Sequence, residues 1–442
     1  MTRRRCLLVE GLPYHWEVLP PWVAMLRRLG YEVEVAAPAD TAGHHETLAL
    51  LRGCRTHRVA DVERLPLDAF DFVVVNTLVH DGYFFQRPPE RRPDLAWVRE
   101  LGRPSIAVVH EPGHWVEKRI AHAFDEVTAE GRTRINLLVD GSFQYEMRFW
   151  SPLRWSLDGD RLCLPEEHRT RRFETRDGGR SYHGLDAARG TTLVRRDVQV
   201  EDLAAHCADG RHAIVAPTEA AAARLGAICE AEWILPIARM RRLPSRRTGD
   251  VAFAGTLDWD RKALNSLLQG CTALPDGESI LVVGGSRDAD FDRDPVVMQF
   301  RQAIAERGLG DRFRFTGYLP YGAYVEAIRR CRFLLPLIDD YVDSGSYLVK
   351  LPAAVAASLG MGVPLVLNRT IAERFGMEYM VRYPGDDLAA GLHAQQALSD
   401  AGYAAMLAAL DHHARSLWRR NLRALAGMIE RITGRVPAGV GR

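Results

Sequence analysis

The sequence predicts an α/β protein in which two open parallel sheets face each other across a cleft. Its 442 residues are about three times a typical domain length, which favours more than one domain. Short apolar, β-branched runs alternate with helix-length amphipathic segments, as parallel α/β units require. This alternation occurs twice, before and after a polar, arginine-rich segment at 237–249. We therefore predict two Rossmann-like domains, 1–240 and 241–442, with a C-terminal helix that docks back onto them.

The first domain is predicted from strands at 6–9, 32–36, 72–75, 105–109 and 212–216. The first strand is followed by Trp22, Leu26 and Leu29, which recur at helical spacing before Gly30 ends the helix. Residues 141–210 interrupt the alternation because they are rich in Phe, Tyr, Trp, Arg and Gly but have no sustained period. We interpret 141–210 as an insertion in the first domain.

The second domain is predicted from strands at 251–254, 280–283, 313–315, 333–337 and 364–367. Near the C-terminus one face of a long helix is apolar and the other carries arginines. The apolar residues are Trp418, Leu422, Leu425, Ile429 and Ile432, and the arginines are Arg419, Arg420 and Arg423. We predict that this helix docks on the protein, and a helix lying on a membrane surface is the alternative.

The composition excludes several classes of protein. With 47% hydrophobic and 26% charged residues, the chain is neither disordered nor fibrous. The formal net charge of +1 argues against nucleic acid as a partner. The seven cysteines include no Cys-x-x-Cys pair, which fits a reducing compartment. We expect no membrane span and a cytoplasmic location, with attachment to the inner face of the membrane as an open alternative.

Candidate site residues follow the first predicted strand, because ligands of open α/β sheets bind beyond the carboxyl ends of the strands. This loop contains Glu10, Tyr14 and His15, for which we predict contacts with an acceptor substrate. His15 is equally consistent with an ordinary surface histidine. The loop lacks the Gly-x-Gly-x-x-Gly spacing, which argues against an NAD enzyme.

A second group of candidates follows the strand at 105–109. His110 is predicted to act as a base or substrate contact, and His114 is predicted to contact the acceptor. Pro112 and Gly113 separate the two histidines. They disfavour the continuous helix on which a His-x-x-x-His zinc site depends, so we predict no metal.

The second domain carries candidate phosphate contacts after its first strand and before a late helix. Gly255 allows a close backbone approach, and Arg261 and Lys262 suit a diphosphate. Ser346 belongs to a Ser-Gly-Ser sequence that we expect to open a helix and present free N–H groups to an anion, to which Lys350 adds a charge. The alternatives are a solvated cationic pair and a Ser-capped helix with a solvent-exposed lysine.

These segments resemble the two-Rossmann-domain (GT-B) glycosyltransferases, in particular the family 4, or group 1, type. The resemblance is carried by 251–262, by 313–320 and by 346–367, which contains Gly362-Val363-Pro364. It implies a nucleotide-sugar donor as substrate, and it places His110 at the family's acceptor-side histidine position. The donor contacts that it implies are Gly255, Thr256, Arg261, Lys262, Ser346, Tyr347 and Lys350.

The sequence departs from this family at one motif. Many relatives carry Glu-x7-Glu before the Gly-x-Pro, and the corresponding positions here are Val349 and Ala357. We predict a metal-independent hexosyltransferase without a cofactor, which moves a sugar from a nucleotide-sugar to a small-molecule, glycan or other hydroxyl acceptor. The alternatives are a nucleotide-sugar epimerase, which would act on donor alone, and a non-catalytic GT-B-like binding protein.

Overall fold

The structure is a computed structural model that describes most of the chain. The described residues are 4–12, 15–38, 51, 53–80, 92–117, 120–145, 149–151, 154–166, 169–185, 188, 190–196, 202–237, 251–285, 291–317, 319–339 and 347–438.

The first domain begins with five strands of a parallel sheet. These strands are β1 (Arg5–Val9), β2 (Glu32–Ala37), β3 (Arg55–Arg58), β4 (Phe72–Val75) and β5 (Ser105–Val108). The described helices of this part are α1 (Leu19–Arg28), α2 (Leu95–Glu100) and α3 (Pro112–Val116). All residues of β4 and β5 are buried, as expected for central strands of a parallel sheet that is covered on both faces.

After α3 the chain forms a separate antiparallel sheet of nine strands. They are β6 (Ile120–Thr128), β7 (Gly131–Leu138), β8 (Phe143–Tyr145), β9 (Phe149–Ser151), β10 (Ser156–Asp158), β11 (Arg161–Glu166), β12 (Arg169–Glu174), β13 (Ser181–Leu185) and β14 (Thr192–Arg195). The sheet order is β10-β11-β12-β13-β14-β6-β7-β8-β9. The predicted insertion, 141–210, contains most of these strands, but the sheet already begins at Ile120 and its last strand ends at Arg195.

The chain then returns to the first parallel sheet. It adds α4 (Leu203–Cys207), β15 (His212–Ala216), α5 (Glu219–Leu225) and β16 (Ala231–Trp233). The completed sheet has seven strands in the order β16-β15-β5-β4-β1-β2-β3. Because β1 lies between β2 and β4, the direction of the connections reverses there, and the crevice for a ligand is expected beyond the ends of β1 and β4.

The second domain is built on β17 (Val251–Thr256), β18 (Ile280–Gly285), β19 (Phe313–Phe315) and β20 (Phe333–Leu335), in the order β19-β18-β17-β20. β21 (Val366–Asn368) and β22 (Val381–Tyr383) form a parallel pair, and a bridge between Leu334 and Leu365 links that pair to β20. The described helices before the last one are α6 (Leu264–Gly270), α7 (Pro295–Glu306), α8 (Tyr321–Arg330), α9 (Ala353–Met361), α10 (Arg369–Arg374) and α11 (Leu388–Gln396). The connections reverse between β17 and β20.

The last helix, α12 (Asp400–Thr433), contacts both domains. Met406 and Leu410 are part of the second domain's core, whereas Leu425 and Ile429 are part of the first domain's core. Asn421 lies between these two groups, is fully buried and donates a 2.6 Å hydrogen bond to the Leu235 carbonyl. The predicted docking of the C-terminal helix is confirmed.

Two Rossmann-like domains with parallel sheets confirm the predicted fold class. The predicted boundary between 240 and 241 lies outside the described residues. Within the described ranges, no helix is both long enough and apolar enough to cross a membrane.

Candidate functional site

A cavity of about 390 Å³ lies between the two domains. Its first-domain wall comes from the loops that follow β1, β5 and β15. Its second-domain wall comes from β17, the loop after it, α8 and the segment that enters α9. The lining residues are His15, Glu17, Val18, His110, Glu111, Pro217, Ala254, Gly255, Thr256, Asp258, Arg261, Lys262, Tyr324, Tyr347, Lys350, Leu351, Pro352, Ala353, Ala354 and Ala356.

Two stacked histidines form part of the first-domain wall. The ring centroids of His15 and His110 are 4.1 Å apart and the ring planes differ by 7°. Nε2 of His110 lies 2.8 Å from the Asn76 carbonyl oxygen. A carbonyl only accepts hydrogen bonds, so Nε2 carries the proton and neutral His110 has its lone pair on Nδ1.

The backbone of His15 supports this arrangement. His15 has φ 58°, a left-handed conformation that is uncommon for residues other than glycine. Its imidazole Nδ1 lies 3.9 Å from Oε1 of Glu17. Backbone strain at a cavity wall is typical of residues whose side chain must be held in one direction.

Beneath the histidines lies Glu10, which is completely buried. Its carboxyl accepts hydrogen bonds from the Leu12 N–H at 2.9 Å, from Nδ2 of Asn76 at 2.6 Å and from Oγ1 of Thr77 at 2.8 Å. Asn76 therefore connects Glu10 to His110, because its side chain bonds the carboxyl and its carbonyl bonds the imidazole.

The pKa values of His110, His15 and Glu10 are shifted in different directions because their surroundings differ. Burial, together with the charge of neighbouring His15, holds the pKa of His110 well below its usual range. Burial also opposes a charge on His15, but the hydrogen bond and charge of Glu17, with Glu10 and Glu111, raise the pKa of His15 overall. Burial raises the pKa of Glu10 to about 7 despite its three hydrogen bonds. At neutral pH His110 is therefore uncharged.

The loop after β17 presents the cations of the second-domain wall. Gly255 has φ +121°, a conformation that strains any residue with a Cβ. The Asp258 carboxylate accepts hydrogen bonds from the Asp260 and Arg261 N–H groups, both at 3.1 Å. This turn leaves Arg261 exposed at the cavity, while Lys262 is half-buried.

Lys262 is fixed by groups that follow β20 and precede α9. Its Nζ donates a 3.1 Å hydrogen bond to the Pro336 carbonyl and lies 5.7 Å from the centre of the Tyr347 ring. Leu337 has φ 51°, and its carbonyl accepts the Ala263 N–H at 2.9 Å. Burial lowers the pKa of Lys262 to about 8, although Asp258 opposes the shift. Lys262 is therefore a cation at neutral pH that is only partly solvated.

The start of α9 completes this wall. Ala353 and Ala354, in the first turn, line the cavity, and no side chain caps the helix. The N-terminal end of a helix favours an anion because of its free N–H groups and its dipole. The helix begins at Ala353, after Pro352, and the Ser-Gly-Ser sequence that we expected to open a helix lies outside the described residues. Proline is compatible with the beginning of a helix but not with its interior.

Most of the predicted site residues lie together around this cavity. His15, His110, Gly255, Thr256, Arg261, Lys262, Tyr347 and Lys350 all line it. Glu10 lies below the surface, and Asn76 connects it to His110 at the cavity wall. His114 lies on α3 outside the lining, and Tyr14 and Ser346 lie outside the described residues.

Sequence analysis missed Asn76, Thr77 and Asp258. Asn76 and Thr77 directly follow β4, at the reversal point of the first sheet, so searching the residue after every strand would have found them.

Within the described residues no group of three or more His, Cys, Asp or Glu side chains is arranged to hold a metal ion.

Comparison with known proteins identifies the fold. No family model matches this sequence, and no curated protein matches it. The solved structures that resemble it include a glycosyltransferase from Rickettsia africae, with a TM-score of 0.53 and 10% identity over 98% of this chain and 99% of the other. Sucrose-phosphate synthase from Thermosynechococcus elongatus has a TM-score of 0.50 and 13% identity over 98% of this chain and 100% of its own.

A third similar structure is HepE of Anabaena, solved in complex with UDP and glucose. Its TM-score is 0.50, with 13% identity over 98% of both chains. All three matches extend over both domains. At these identities the comparison concerns the fold alone, and it agrees with the two facing parallel sheets. The chain has the GT-B fold.

Proposed function

We propose that this chain is a glycosyltransferase that moves a sugar from a nucleoside diphosphate to a hydroxyl acceptor. The observation that carries the proposal is that one cavity between two Rossmann-like domains joins Arg261, Lys262 and Lys350 to a neutral histidine, His110. The cations suit a diphosphate, and the neutral imidazole suits a hydroxyl that must lose its proton. Each domain thus supplies the chemistry for one substrate.

In the proposed reaction the acceptor hydroxyl gives its proton to Nδ1 of His110. Its oxygen bonds to the anomeric carbon as the bond between that carbon and the diphosphate breaks. The electron pair of the broken bond goes to the diphosphate, where Arg261, Lys262, Lys350 and the N-terminal end of α9 stabilise the charge. Such preorganised electrostatic stabilisation is usually the largest contribution to catalysis.

Ligand binding tests the proposal first. Thermal unfolding should be followed with UDP, GDP, TDP, ADP, CDP and their sugars, beginning with UDP because HepE was solved with it. A ligand that binds only the folded protein stabilises it by about 2.7 kcal/mol at a concentration of 100 times its Kd. If none of these nucleotides raises the unfolding temperature, the proposed function is wrong.

The Arg261→Ala/Lys262→Ala variant tests the diphosphate site. Losing both charged contacts should weaken nucleoside diphosphate binding by roughly 2–4 kcal/mol, measured by calorimetry. Arg307→Ala is the matched control, because Arg307 is an exposed arginine of the same domain that does not line the cavity. Unchanged affinity in the folded double variant would contradict the assignment.

Turnover assays separate the alternatives. A glycosyltransferase needs an acceptor, an epimerase converts the donor alone, and a binding protein binds the nucleotide without turnover across an acceptor panel. We also propose that no divalent metal is required, since basic side chains take the place of a metal beside the diphosphate. Loss of turnover in EDTA and its recovery with Mg²⁺ or Mn²⁺ would refute this part.

A further inference from the structure

An ion pair between Lys350 and Glu111 crosses the cavity from one domain to the other. Nζ of Lys350 lies 2.9 Å from Oε2 of Glu111, and the two side chains are 27% and 40% exposed. Lys350 belongs to the wall where the proposed function places the diphosphate. Glu111 directly follows His110 on the opposite wall. The carboxylate therefore occupies a position beside the ammonium that a phosphate oxygen would also favour.

The segment before Lys350 is held by the first domain. Val349 packs against the first domain's core, and its carbonyl accepts a 2.6 Å hydrogen bond from Oγ1 of Thr218. Thr218 also caps α5, because its Oγ1 accepts the Ala221 N–H at 3.1 Å. These contacts keep the backbone beside Glu111, so the Lys350 side chain can change partner without movement of its own segment.

We propose that Glu111 is the partner that the donor's diphosphate displaces from Lys350, and that Glu111 thereby determines donor affinity. The proposal rests on the proposed function, which places a diphosphate at Lys350. Displacement releases the Glu111 carboxylate beside His110 when a donor binds. Donor occupancy is thus communicated to the acceptor-side loop by a single exchange of ionic partners.

The energetics of the pair favour exchange. Ion pairs between partly exposed side chains contribute little to stability, since solvent screens them and both side chains lose freedom. A diphosphate carries more negative charge than one carboxylate and offers more oxygens to the ammonium. It also binds Arg261 and Lys262 at the same time, whereas Glu111 is paired with Lys350 across the cavity.

Simple repulsion between Glu111 and the phosphate would also weaken donor binding. Glu111→Gln does not distinguish repulsion from exchange, whereas Glu111→Asp and the Lys350→Met background do. Glu111→Gln removes the charge, so both explanations predict tighter anion binding. Glu111→Asp keeps the charge but shortens the side chain by one methylene, so only exchange predicts tighter binding. Replacing Lys350 by Met removes the partner for which carboxylate and phosphate compete, so under exchange a further Glu111→Gln substitution has no effect.

The test uses inorganic pyrophosphate, because it presents the diphosphate without a base or sugar. Its affinity is measured by calorimetry at low ionic strength without Mg²⁺, for the wild type, E111Q, E111D, K350M and E111Q/K350M. We expect E111Q to bind pyrophosphate about two- to fivefold more tightly than the wild type, E111D to bind it more tightly by a smaller factor, and E111Q/K350M to match K350M. Glu17→Gln is the control, since it removes another carboxylate of the cavity that is not paired with Lys350, and we expect a smaller effect.

Several results would overturn the exchange. These are unchanged or weaker binding by E111Q and E111D, full tightening by E111Q in the K350M background, an equal effect of E17Q, and no pyrophosphate binding by any variant. Nucleoside diphosphates measured in parallel keep the two proposals apart. If they bind the wild type and lose affinity in R261A/K262A while the Glu111 variants change nothing, the exchange fails and the proposed function stands.

Discussion

His15 and His110 are chemically alike and stacked at 4.1 Å, but their neighbours give them different tasks. His15 faces the carboxylates of Glu17, Glu10 and Glu111, which raise its pKa. Desolvation and the charge of neighbouring His15 lower the pKa of partly buried His110, and the Asn76 carbonyl fixes the proton on Nε2. The stack thus favours one charge on His15 and leaves His110 able to accept a proton.

Replacement of His110 tests this assignment. His110→Ala should lower the transfer rate by about 10²–10⁴-fold, the usual contribution of a general base. Donor nucleotide affinity should change little, because the cations for the diphosphate belong to the other domain. Steady-state rates and nucleotide calorimetry on the same preparation provide the two readouts.

His110→Asn is the matched variant, because it retains a hydrogen-bonding group that is unable to take up a proton. We expect it to be as slow as His110→Ala. Substantial turnover by His110→Asn would make His110 a positioning residue, and the proton would then have to go to another group, such as the diphosphate itself.

Glu10 makes the stability of the protein depend on pH. Burial raises its pKa from 4.5 to about 7 in the folded protein, so the folded state binds this proton more tightly than the unfolded chain does. The resulting stabilisation is fully present below pH 4.5 and is lost as the pH rises through about 7. A carboxyl without its charge is therefore favoured by the fold.

Glu10→Gln should reduce this pH dependence. Between about pH 5 and pH 8 the free energy of unfolding of the variant should decrease by roughly 2–3 kcal/mol less than that of the wild type. Urea unfolding at several pH values measures the difference, and Glu100→Gln, at an exposed position, is the control. If Glu10→Gln and the wild type show the same pH dependence, Glu10 is ionised throughout this range.

The cations and histidines that line the cavity were recognisable from their places in the sequence. His15, His110, Arg261 and Lys262 follow predicted strands, and Lys350 follows the Ser-Gly-Ser sequence that we expected to open a helix. The sequence did not identify the pairing of Lys350 with Glu111. It also did not identify the pairing of Glu10 with Asn76, which lies 66 residues away in the sequence. Such pairs depend on which strands are neighbours in the sheet and on how the two domains face each other. A single sequence without a structure contains little information on either.

At the scale of elements, buried strands were predicted better than exposed ones. β4, whose sequence is Phe-Val-Val-Val, was predicted with the bounds observed. β3, whose sequence is Arg-Thr-His-Arg, was missed because it is an edge strand and largely exposed. Burial on both faces is what produces a recognisable apolar run, and edge strands lack it.

The strands of the antiparallel sheet were also missed, although their turns were recognisable. Asp-Gly pairs at 140–141, 158–159 and 177–178 each lie at or between successive strands. The glycines of all three pairs have positive φ, and Asp-Gly is a strong signal for a β-hairpin. Arginines in the strands, such as Arg171 and Arg172 of β12, obscured the alternation of apolar and polar residues.

The helix α12 joins the two domains, and its C-terminal half stabilises the first one. Ile429 is completely buried in the first domain's core, whereas Arg423 on the same helix is exposed. Ile429→Ala should destabilise the protein by about 2–5 kcal/mol because it leaves a cavity. Arg423→Ala is the control and should change stability by about 0.5 kcal/mol or less. Urea unfolding followed by circular dichroism compares them, and equal stabilities would show that this half of α12 does not support the domain.

At the scale of the whole molecule, the two sheets face each other at the points where their connections reverse. In the first domain this is the end of β1 and β4, with Glu10 and Asn76, and in the second it is the end of β17 and β20, with Gly255 and Pro336. The same topological rule therefore places both walls of the cavity. None of the described residues of the antiparallel sheet lines the cavity.

The antiparallel sheet should consequently be removable without loss of nucleotide binding. It has a core of its own, which includes Phe124, Ile135, Phe173 and Leu193, and it begins and ends at one place, since the Arg196 N–H bonds the Ala123 carbonyl at 2.9 Å. A short Gly-Ser linker in place of 120–196 can therefore join the remaining ends. We expect this variant to keep the secondary structure of both Rossmann-like domains and the nucleoside diphosphate affinity of the full chain, measured by circular dichroism and calorimetry. Loss of nucleotide affinity in a folded variant would mean that the sheet supports the cavity, whereas retained affinity with lost transfer would assign the sheet to the acceptor.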